Sequence, residues 1–216
     1  MKSSLFWCCF RRCFGESSID SSQSKAKWDR IYTSKLTEIP DAEPSLILSE
    51  NRQRLPKTGR ALDVACGRGS NAIYLATLGL KVDAWDISSI AVNDLNQRAQ
   101  TTNLSVSAET IDITPVAFAQ SSYNLIAICH YLDRDIIPAV RQAIAPGGLL
   151  CMQTFTRDKR VNIGPTSLAF LLGPDELLDM VKGFEVLSYR DEGPNPDENE
   201  RLAGRAYVVA RKPLDV

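Results

Sequence analysis

Residues 61–72 constrain the fold of this chain more than any other stretch, because an apolar run leads directly into a turn with two glycines and then into a helical pattern. This succession predicts a buried strand, a tight turn and the start of a helix. Gly67 and Gly69 lack a Cβ atom, so the backbone of the turn can approach a ligand closely. Asp63 places a carboxylate near the carboxyl end of the strand, where open α/β sheets bind ligands. A carboxylate there favours a ligand with an ammonium group and disfavours one with phosphates.

The composition is that of an ordinary soluble globular protein, with 44% hydrophobic and 24% charged residues in a chain of 216. Lysine and arginine total 25 and aspartate and glutamate total 26, so the sequence carries no basic footprint for nucleic acid. No apolar run approaches the ~18 residues of a membrane-spanning helix. We therefore expect neither a nucleic-acid partner nor an integral membrane span.

The six cysteines do not form a disulfide framework in a chain of this length. Cys66, Cys129 and Cys151 fall in or beside strands that the pattern places in the interior. Buried reduced thiols fit a cytoplasmic protein. The three N-terminal cysteines match no zinc-ligand spacing, and we expect no metal site.

Residues 1–24 are predicted to be a disordered N-terminal extension, followed by one domain over 25–216. The apolar run near the N-terminus is interrupted by two arginines after six residues, which is shorter than the apolar region of a secretory signal. A peripheral membrane contact through its aromatic residues and arginines is the alternative.

The rest of the chain alternates between strand and helix patterns. Strands are predicted at 60–65, 81–86, 105–111, 123–129, 148–155, 184–190 and 205–211. Helices are predicted at 26–34, 45–54, 69–79, 88–101, 134–145 and 174–183, the fifth being stopped by the Pro-Gly-Gly of 146–148. The apolar strands indicate a parallel sheet covered on both faces. Only an acidic loop over 191–201 joins the last two strands, which predicts a hairpin. The expected fold is α/β: a doubly wound, mostly parallel seven-stranded sheet with an antiparallel C-terminal hairpin.

By spacing alone, the glycine turn fits two kinds of cofactor. Residues 67–72 satisfy the G-x-G-x-x-A form of the dinucleotide fingerprint, and Asp86 ends the second strand where a ribose-binding acid belongs. Asp63, however, would oppose the docking of a pyrophosphate at the helix N-terminus. S-adenosylmethionine has no phosphate and carries an ammonium, so it suits Asp63 better. An NAD-dependent oxidoreductase remains an alternative.

Several stretches in order carry a family resemblance: 62–72, 82–88, 111–113 and 145–148, with 28–32 before them and 164–178 after the fifth strand. Over roughly residues 26–211 the chain resembles the class I S-adenosylmethionine-dependent methyltransferases, in the neighbourhood of the tellurite-resistance (TehB-like) and thiopurine methyltransferases. The resemblance implies a Rossmann-like methyltransferase fold and S-adenosylmethionine as the cofactor.

The resemblance also implies roles for individual residues. The methionine end of the cofactor would be held by Asp63 and by the backbone of Ala65, Cys66, Gly67 and Gly69. Asp86 would bind the ribose hydroxyls and Asp112 the adenine amino group, while Ile87 and Ile113 would pack on the adenine and Cys129 would lie beside the transferred methyl group. One position departs from the family: Ala65 replaces the first glycine of the turn, which is tolerated if its φ is negative.

The sulfonium is already a strong methyl donor, so the enzyme has mainly to orient the acceptor and exclude water. A thiol, selenium or tellurium acceptor needs no general base, whereas an amine or hydroxyl must lose a proton. His130, the only histidine, is a candidate base, with a structural role as the alternative. Tyr131 is a candidate wall over the methyl group, and Arg157 and Arg160 are candidates for binding an anionic acceptor.

The sequence thus favours methyl transfer to a small-molecule acceptor, with a soft nucleophile preferred. A methyltransferase acting on an RNA base or on a protein side chain is the first alternative. Trp28 and Tyr32 either fold over the site as a lid or pack amphipathically against the sheet. Asp83, the other acid on the second strand, is expected to be an ordinary solvated side chain.

Overall fold

The computed structural model describes residues 21–37, 43–118, 122–158, 163–191 and 202–214. The helices are α1 (Ser21–Lys35), α2 (Leu46–Glu50), α3 (Ser70–Thr77), α4 (Ser89–Thr101), α5 (Ile137–Ala143) and α6 (Glu176–Met180). The strands are β1 (Arg60–Val64), β2 (Lys81–Asp86), β3 (Val106–Thr110), β4 (Tyr123–Cys129), β5 (Ile144–Phe155), β6 (Glu185–Asp191) and β7 (Arg205–Arg211). Short 3-10 helices follow α2 and precede β4 and α6.

The seven strands form one sheet in the order β3-β2-β1-β4-β5-β7-β6. Pairs among the first five strands are parallel, while β7 pairs antiparallel with both β5 and β6. The predicted doubly wound sheet and its C-terminal antiparallel hairpin are therefore confirmed. Because β1 lies between β2 and β4, the strand order reverses there, and the crevice at such a point is where open α/β sheets bind ligands.

Each face of the sheet is covered by its own hydrophobic cluster. One cluster joins the sheet to α2, α3 and α4, with Leu75 and Leu95 fully buried. The other joins it to α5 and α6 through Val140 and Leu177. Covering both faces explains why β4 ends in the continuous apolar run 125–129 rather than in an alternating pattern. None of the helices in the described part of the chain combines the length and the apolar character required to cross a membrane.

The boundary between α5 and β5 differs from the prediction. The helix was expected to run over 134–145 and to stop at the Pro-Gly-Gly sequence, but it ends at Ala143 and β5 already begins at Ile144. The residues between Ile144 and Leu149 form an irregular part of the strand, where the register against β4 shifts. Gly147, with φ +75°, donates its N–H to the carbonyl of Lys212 across this irregularity. The glycines therefore shape a bulge inside the sheet rather than a helix end.

The N-terminal helices also differ from the prediction. Helix α1 begins at Ser21, so residues 21–24 belong to a helix instead of the predicted disordered extension. The remainder of the predicted extension, residues 1–20, lies outside the described residues. The predicted helix 45–54 is a single turn of α-helix followed by a 3-10 turn. Its three consecutive residues Leu46, Ile47 and Leu48 are all buried.

Candidate active site

Three predicted cofactor-binding residues, two of them acids, lie close to the point where the strand order reverses. Asp63 lies near the end of β1, Asp86 ends β2, and Cys129 ends β4. Since β1 pairs in parallel with both neighbours, these carboxyl ends lie at the same edge of the sheet. The sequence placed these residues at one edge because parallel strands bring their carboxyl ends together.

Asp63 is the most constrained of these residues. Its side chain is 1% exposed; Oδ2 accepts a hydrogen bond from the N–H of Ala72 at 3.1 Å, whereas Oδ1 is buried with no hydrogen-bond partner among the described residues. Burial raises the pKa of Asp63 to about 7 and the nearby charge of Asp86 adds to the effect, although the Ala72 N–H and the Asn71 side chain oppose it. A buried carboxylate oxygen without a donor is costly, so this site is suited to a cationic ligand group.

The backbone of the turn after β1 is left-handed at three of its five residues. Gly67 has φ +53° and Gly69 has φ +77°, as their residue type allows. A Cβ on Gly69 would lie 2.4 Å from the side chain of Leu95, so this glycine also lets α4 pack against the turn. Ala65 has φ +54°, and the expectation of a negative φ there is wrong. An alanine adopts this left-handed conformation at a cost of roughly 1 kcal/mol.

Replacing Ala65 with glycine is therefore expected to stabilise the protein by about 1 kcal/mol, because the strain is removed. Equilibrium denaturation in urea measures the change. The matched control is Ala99→Gly, since Ala99 is buried in the last turn of α4, where glycine should cost up to about 1 kcal/mol. A loss of stability in Ala65→Gly would mean that the left-handed conformation is not strained.

Asp86 supports the turn from the neighbouring strand. Its Oδ2 accepts a hydrogen bond from the N–H of Gly67 and its Oδ1 accepts one from the N–H of Ser88, both at 2.8 Å. The side chain is 5% exposed, and burial raises its pKa although the two N–H donors oppose the shift. Asp83, by contrast, is bound by Arg60 and by the hydroxyl of Tyr123. Of the two acids on β2, only Asp86 contacts the turn.

The predicted adenine side lies beyond the end of β3. Ile113 is buried in the hydrophobic cluster of the α5 face, against which Ala65 and Tyr131 also pack. Ile87 is half-buried and Asp112 is exposed. Burial raises the pKa of the Tyr131 phenol, and the nearby charges of Asp133, Asp112 and Asp86 contribute to this shift. Tyr131 therefore lies between the adenine side and the end of β4.

Helix α1 crosses the outer side of the turn. It contains no buried residue, so packing against the sheet does not explain its position. Polar contacts hold it instead: the hydroxyl of Ser88 donates to Oδ1 of Asp29 at 2.6 Å, and Arg68 donates to the carbonyl of Lys35 at 2.7 Å. The Arg68–Lys35 contact is exposed, whereas Ser88 is fully buried and ties Asp29 to the start of α4.

Tyr32 is the residue of α1 that reaches the turn. A Cβ on Gly67 would lie 2.7 Å from its hydroxyl oxygen, so the phenol occupies the space that this glycine leaves open. Burial raises the pKa of Tyr32, and the negative charges of Asp86 and Asp63 lie near enough to raise it further. Trp28 stacks on Tyr32 with ring centroids 5.8 Å apart and remains 38% exposed. The sequence left two alternatives for Trp28 and Tyr32, a position over the site or packing against the sheet. In the structure their helix lies over the turn.

The end of β4 is organised by Gln153, which the sequence did not single out because it lies within an apolar strand. Its Oε1 accepts the N–H of Ile47 at 2.9 Å, which fixes the orientation of the amide. Its Nε2 then lies 3.3 Å from Nε2 of His130, so the amide donates and the imidazole accepts. The imidazole must be neutral to accept this bond. Burial and the charge of Arg205 both lower the pKa of His130.

His130 itself has φ +60°, a conformation uncommon outside glycine. Its N–H donates to the carbonyl of Gln153 at 2.8 Å, which holds the residue at the end of the strand. Cys129, just before it, is buried, and burial raises the pKa of its thiol to about 12. The predicted neighbours of the methyl group are thus an un-ionised thiol and a neutral imidazole.

Arg157 does not join His130. Its guanidinium lies beside Gly173 and Glu176, and its charge helps to lower the pKa of that carboxyl. Glu176 is already bound by Arg134 through both oxygens, at 2.5 and 3.0 Å. Arg157 thus belongs to a charged group that joins the loop after β5 to α6. Arg160 lies outside the described residues.

Arg205, at the start of β7, is the arginine that lies near His130. Its guanidinium carbon lies 4.9 Å from the ring centroid of Phe155, whose ring lies 5.6 Å from that of His130. No sequence pattern indicated this contact, because the β5–β7 pairing joins residues 50 positions apart. Among the described residues, no group of three or more His, Cys, Asp or Glu side chains is placed to hold a metal ion.

Comparisons with known proteins agree with this geometry. The family model for the tellurite resistance protein TehB matches residues 47–200, which is most of the chain. The chain belongs to the TehB family. A probable S-adenosyl-L-methionine-dependent methyltransferase TehB from Haemophilus influenzae is 29% identical over 167 residues, covering 71% of this chain and 57% of the relative. The chain thus spans little more than half the length of that curated relative.

Solved structures give the same result for the fold. The crystal structure of TehB from Haemophilus influenzae matches with a TM-score of 0.61 at 25% identity, covering 86% of this chain and 67% of that one. The cyclase SpnF matches with a TM-score of 0.69 at 19% identity, covering 90% and 97% of the two chains. The second likeness shows the fold alone. The predicted TehB-like family and Rossmann-like methyltransferase fold are confirmed.

The residues of this TehB-family chain fit S-adenosylmethionine, the cofactor expected from the sequence. The buried Oδ1 of Asp63 lacks a donor among the described residues, which an ammonium group would supply. The charge of Asp63 would oppose a pyrophosphate at the same place. The site therefore favours a cationic, phosphate-free ligand.

Proposed function

We propose that this chain transfers a methyl group from S-adenosylmethionine to a small soft nucleophile: a thiol, or a selenium or tellurium compound. The observation that carries the donor assignment is the buried, undonated Oδ1 of Asp63 at the point where the strand order reverses. The name of the Haemophilus influenzae relative, a probable S-adenosyl-L-methionine-dependent methyltransferase, supports the same assignment.

The cofactor would lie across the ends of β1, β2 and β4. Asp63 and the backbone of 65–69 would hold its methionine end, and Asp86 its ribose hydroxyls. The adenine would be held by Ile87, Asp112 and Ile113. Bound there, S-adenosylmethionine supplies an activated methyl group. The acceptor's sulfur, selenium or tellurium forms the new bond to carbon, and the electron pair of the broken bond returns to the sulfonium sulfur. A thiol acceptor also releases one proton.

The soft-nucleophile assignment rests on the absence of a free base among the described residues at the end of β4. The Nε2 lone pair of His130 accepts a hydrogen bond from Gln153, and burial and Arg205 lower the pKa of the imidazole. The Cys129 thiol, with a pKa of about 12, stays protonated. An amine or hydroxyl acceptor would need a base to remove its proton, whereas a thiol ionises readily near neutral pH. The site supports orientation of the acceptor rather than proton abstraction.

Two measurements on the purified chain test this proposal. Calorimetry is expected to show binding of S-adenosylhomocysteine, and labelled S-adenosylmethionine is expected to methylate members of a panel of small thiols and selenols. NADH titration is the control for the oxidoreductase alternative, and the charge of Asp63 should prevent its binding. Absence of S-adenosylhomocysteine binding would remove the donor assignment. Binding with transfer only to RNA or to protein would overturn the acceptor assignment.

The pH dependence gives a sharper test of the acceptor chemistry. At saturating S-adenosylmethionine, kcat/KM for a thiol is expected to rise with pH and then to level off. The midpoint of this rise should lie at the pKa of that thiol. Two thiols whose pKa values differ by about two units should therefore give two different midpoints. His130 should add no inflection between pH 6 and 9, because its pKa is lowered. One common midpoint for both thiols that disappears in His130→Gln would identify His130 as a base.

A further inference from the structure

Gln153 joins three elements next to the candidate site. It lies in β5, is 1% exposed and pairs in the parallel register with Cys129, the last residue of β4. Its side-chain oxygen accepts the N–H of Ile47 at 2.9 Å, and its main-chain carbonyl accepts the N–H of His130 at 2.8 Å. Ile47 is fully buried at the start of α2, where an N–H without an acceptor would be costly. The amide oxygen is therefore committed to α2, and the amide NH2 group is directed at His130.

This arrangement assigns the tautomer of His130. An amide NH2 group can only donate, so Nε2 of the imidazole, 3.3 Å away, must carry the lone pair. In a neutral ring the proton is then on Nδ1. Among the described residues this N–H has no acceptor, and His130 is exposed at the carboxyl edge of the sheet. The imidazole therefore offers the site a donor and no free lone pair.

The groups around the ring favour the same neutral state. Burial and the charge of Arg205, on β7, lower the pKa of His130 to about 4. The thiol of Cys129, with a pKa of about 12, carries no charge near neutral pH. From β5 the ring meets the neutral amide of Gln153 and the ring of Phe155. No carboxylate of the described chain acts on this pKa, whereas a histidine base is commonly oriented by one.

We propose that Gln153 is a positioning residue that determines the class of methyl acceptor: its amide keeps His130 as an Nδ1–H donor, so the site serves acceptors that ionise unaided and rejects those that need a base. The inference rests on the proposed function, since it concerns the acceptor of that reaction. A glutamate at this position would instead accept a hydrogen bond from Nε2–H. The Nδ1 lone pair would then face the site, and a carboxylate would orient the new base.

The altered reaction of Gln153→Glu follows from this geometry. Nδ1 of His130 would take the proton of a phenol, and the phenolate oxygen would form the bond to the methyl carbon. The electron pair of the broken bond would return to the sulfonium sulfur, and the imidazolium would later release its proton to water. In the wild type Nδ1 already carries a proton, so a phenol, with a pKa of about 10, would react only through its small ionised fraction.

NMR of the untagged protein tests the tautomer directly, because His130 is the only histidine of the chain. The nitrogen spectrum of the wild type should show a proton on Nδ1 and none on Nε2, unchanged from about pH 5.5 to pH 9. In Gln153→Glu the proton should move to Nε2, and the pKa of His130 should rise to about 6–7 because an adjacent carboxylate stabilises the imidazolium.

The matched control is Gln142→Glu. It adds the same carboxylate at an exposed position in the last turn of α5, beside the start of β5 and thus at the opposite edge of the sheet. The tautomer and the pKa of His130 should equal those of the wild type.

Activity with thiophenol and phenol, which differ in the acceptor atom, gives the second readout. The wild type should methylate thiophenol and leave phenol at the background rate. Gln153→Glu should raise kcat/KM for phenol by about a hundredfold or more, as general-base catalysis typically does. The midpoint of its pH profile should equal the pKa of His130 measured by NMR. The double variant Gln153→Glu, His130→Gln should lose the gain.

Folding and cofactor binding of every variant are checked by thermal melting and by S-adenosylhomocysteine calorimetry. If Gln153→Glu does not fold, Gln153→Met carries the test, because it cannot donate and His130 should then populate both tautomers. A wild-type proton on Nε2, or a wild-type titration near about 6.5, would overturn the inference whatever the activity. Methylation of phenol by the wild type, or no gain in a Gln153→Glu variant with the converted tautomer, would also overturn it.

The NMR measurement separates this inference from the proposed function, since it needs no turnover. A wild type with the Nδ1–H tautomer that methylates no thiol would leave the role of Gln153 in fixing His130 in place and remove the thiol assignment. A wild type that methylates thiols but shows a freely titrating His130 would retain the proposed function and remove the role of Gln153.

Discussion

Asp86→Ala is expected to abolish S-adenosylhomocysteine binding, with the affinity falling by at least about a hundredfold. The carboxylate of Asp86 accepts hydrogen bonds from the N–H groups of Gly67, in the turn, and Ser88, before α4. Both donors are buried. Removing the acceptor leaves two buried N–H groups without a partner, which costs about 1–3 kcal/mol each. The turn that would hold the methionine end is then no longer held in place, and the proposed contact to the ribose is lost as well.

The matched control for this change lies on the same strand. Asp83→Ala removes the carboxylate that binds Arg60 and Tyr123, neither of which touches the turn. Its cofactor affinity should equal that of the wild type, with a modest loss of stability. Calorimetry on both variants gives the comparison, and Asp86→Asn, which keeps one side-chain oxygen as an acceptor, should be intermediate. Equal losses in Asp83→Ala and Asp86→Ala would show that the ribose contact is misplaced.

Asp63→Asn is expected to weaken S-adenosylhomocysteine binding by about a hundredfold while stabilising the protein without ligand. The wild-type carboxylate is buried, one of its oxygens has no donor among the described residues, and burial raises its pKa to about 7. Asparagine has no charge to attract an ammonium group, so binding is lost. It also has no buried charge, so the cost of ionising Asp63 disappears.

The sign of the pH effect follows from the raised pKa. Because the folded-state pKa of Asp63 lies above its ordinary value of 3.8, its contribution to stability is present below about pH 4 and is lost as the pH rises through about 7. The stability advantage of Asp63→Asn should therefore grow between pH 5 and pH 8, reaching on the order of 2 kcal/mol. Urea denaturation of both proteins at the two pH values measures it.

Cofactor affinity should have the opposite dependence in the wild type. A ligand ammonium requires the ionised carboxylate, so affinity should fall by about tenfold per pH unit below the pKa of Asp63. The Asp63→Asn variant should show no such fall. A wild-type affinity that is flat from pH 5 to pH 8 would mean that Asp63 is ionised throughout, and that its undonated oxygen is not what the ligand satisfies.

Local pattern was sufficient for most of the framework. The continuous apolar runs of β1 and β4 and the glycines after β1 predicted the strands, the turn and the sheet class, because these signals act within a few residues. The same logic placed Asp63 and Asp86 together, since the carboxyl ends of parallel strands share an edge. Helix ends were predicted less well: the Pro-Gly-Gly sequence was taken as a stop signal, but it lies in a strand whose register is adjusted against β4.

What the sequence by itself determined is therefore the α/β class, the position of the crevice and the acids that would hold the donor. Only the tertiary structure showed the left-handed Ala65, the position of Tyr32 over the turn, the Gln153–His130 hydrogen bond and the Arg205–Phe155 pair. The physical reason is the range of the interactions. Strand, turn and acid positions follow from local periodicity and backbone sterics, whereas these contacts arise when sheet register and helix docking bring together residues distant in the chain.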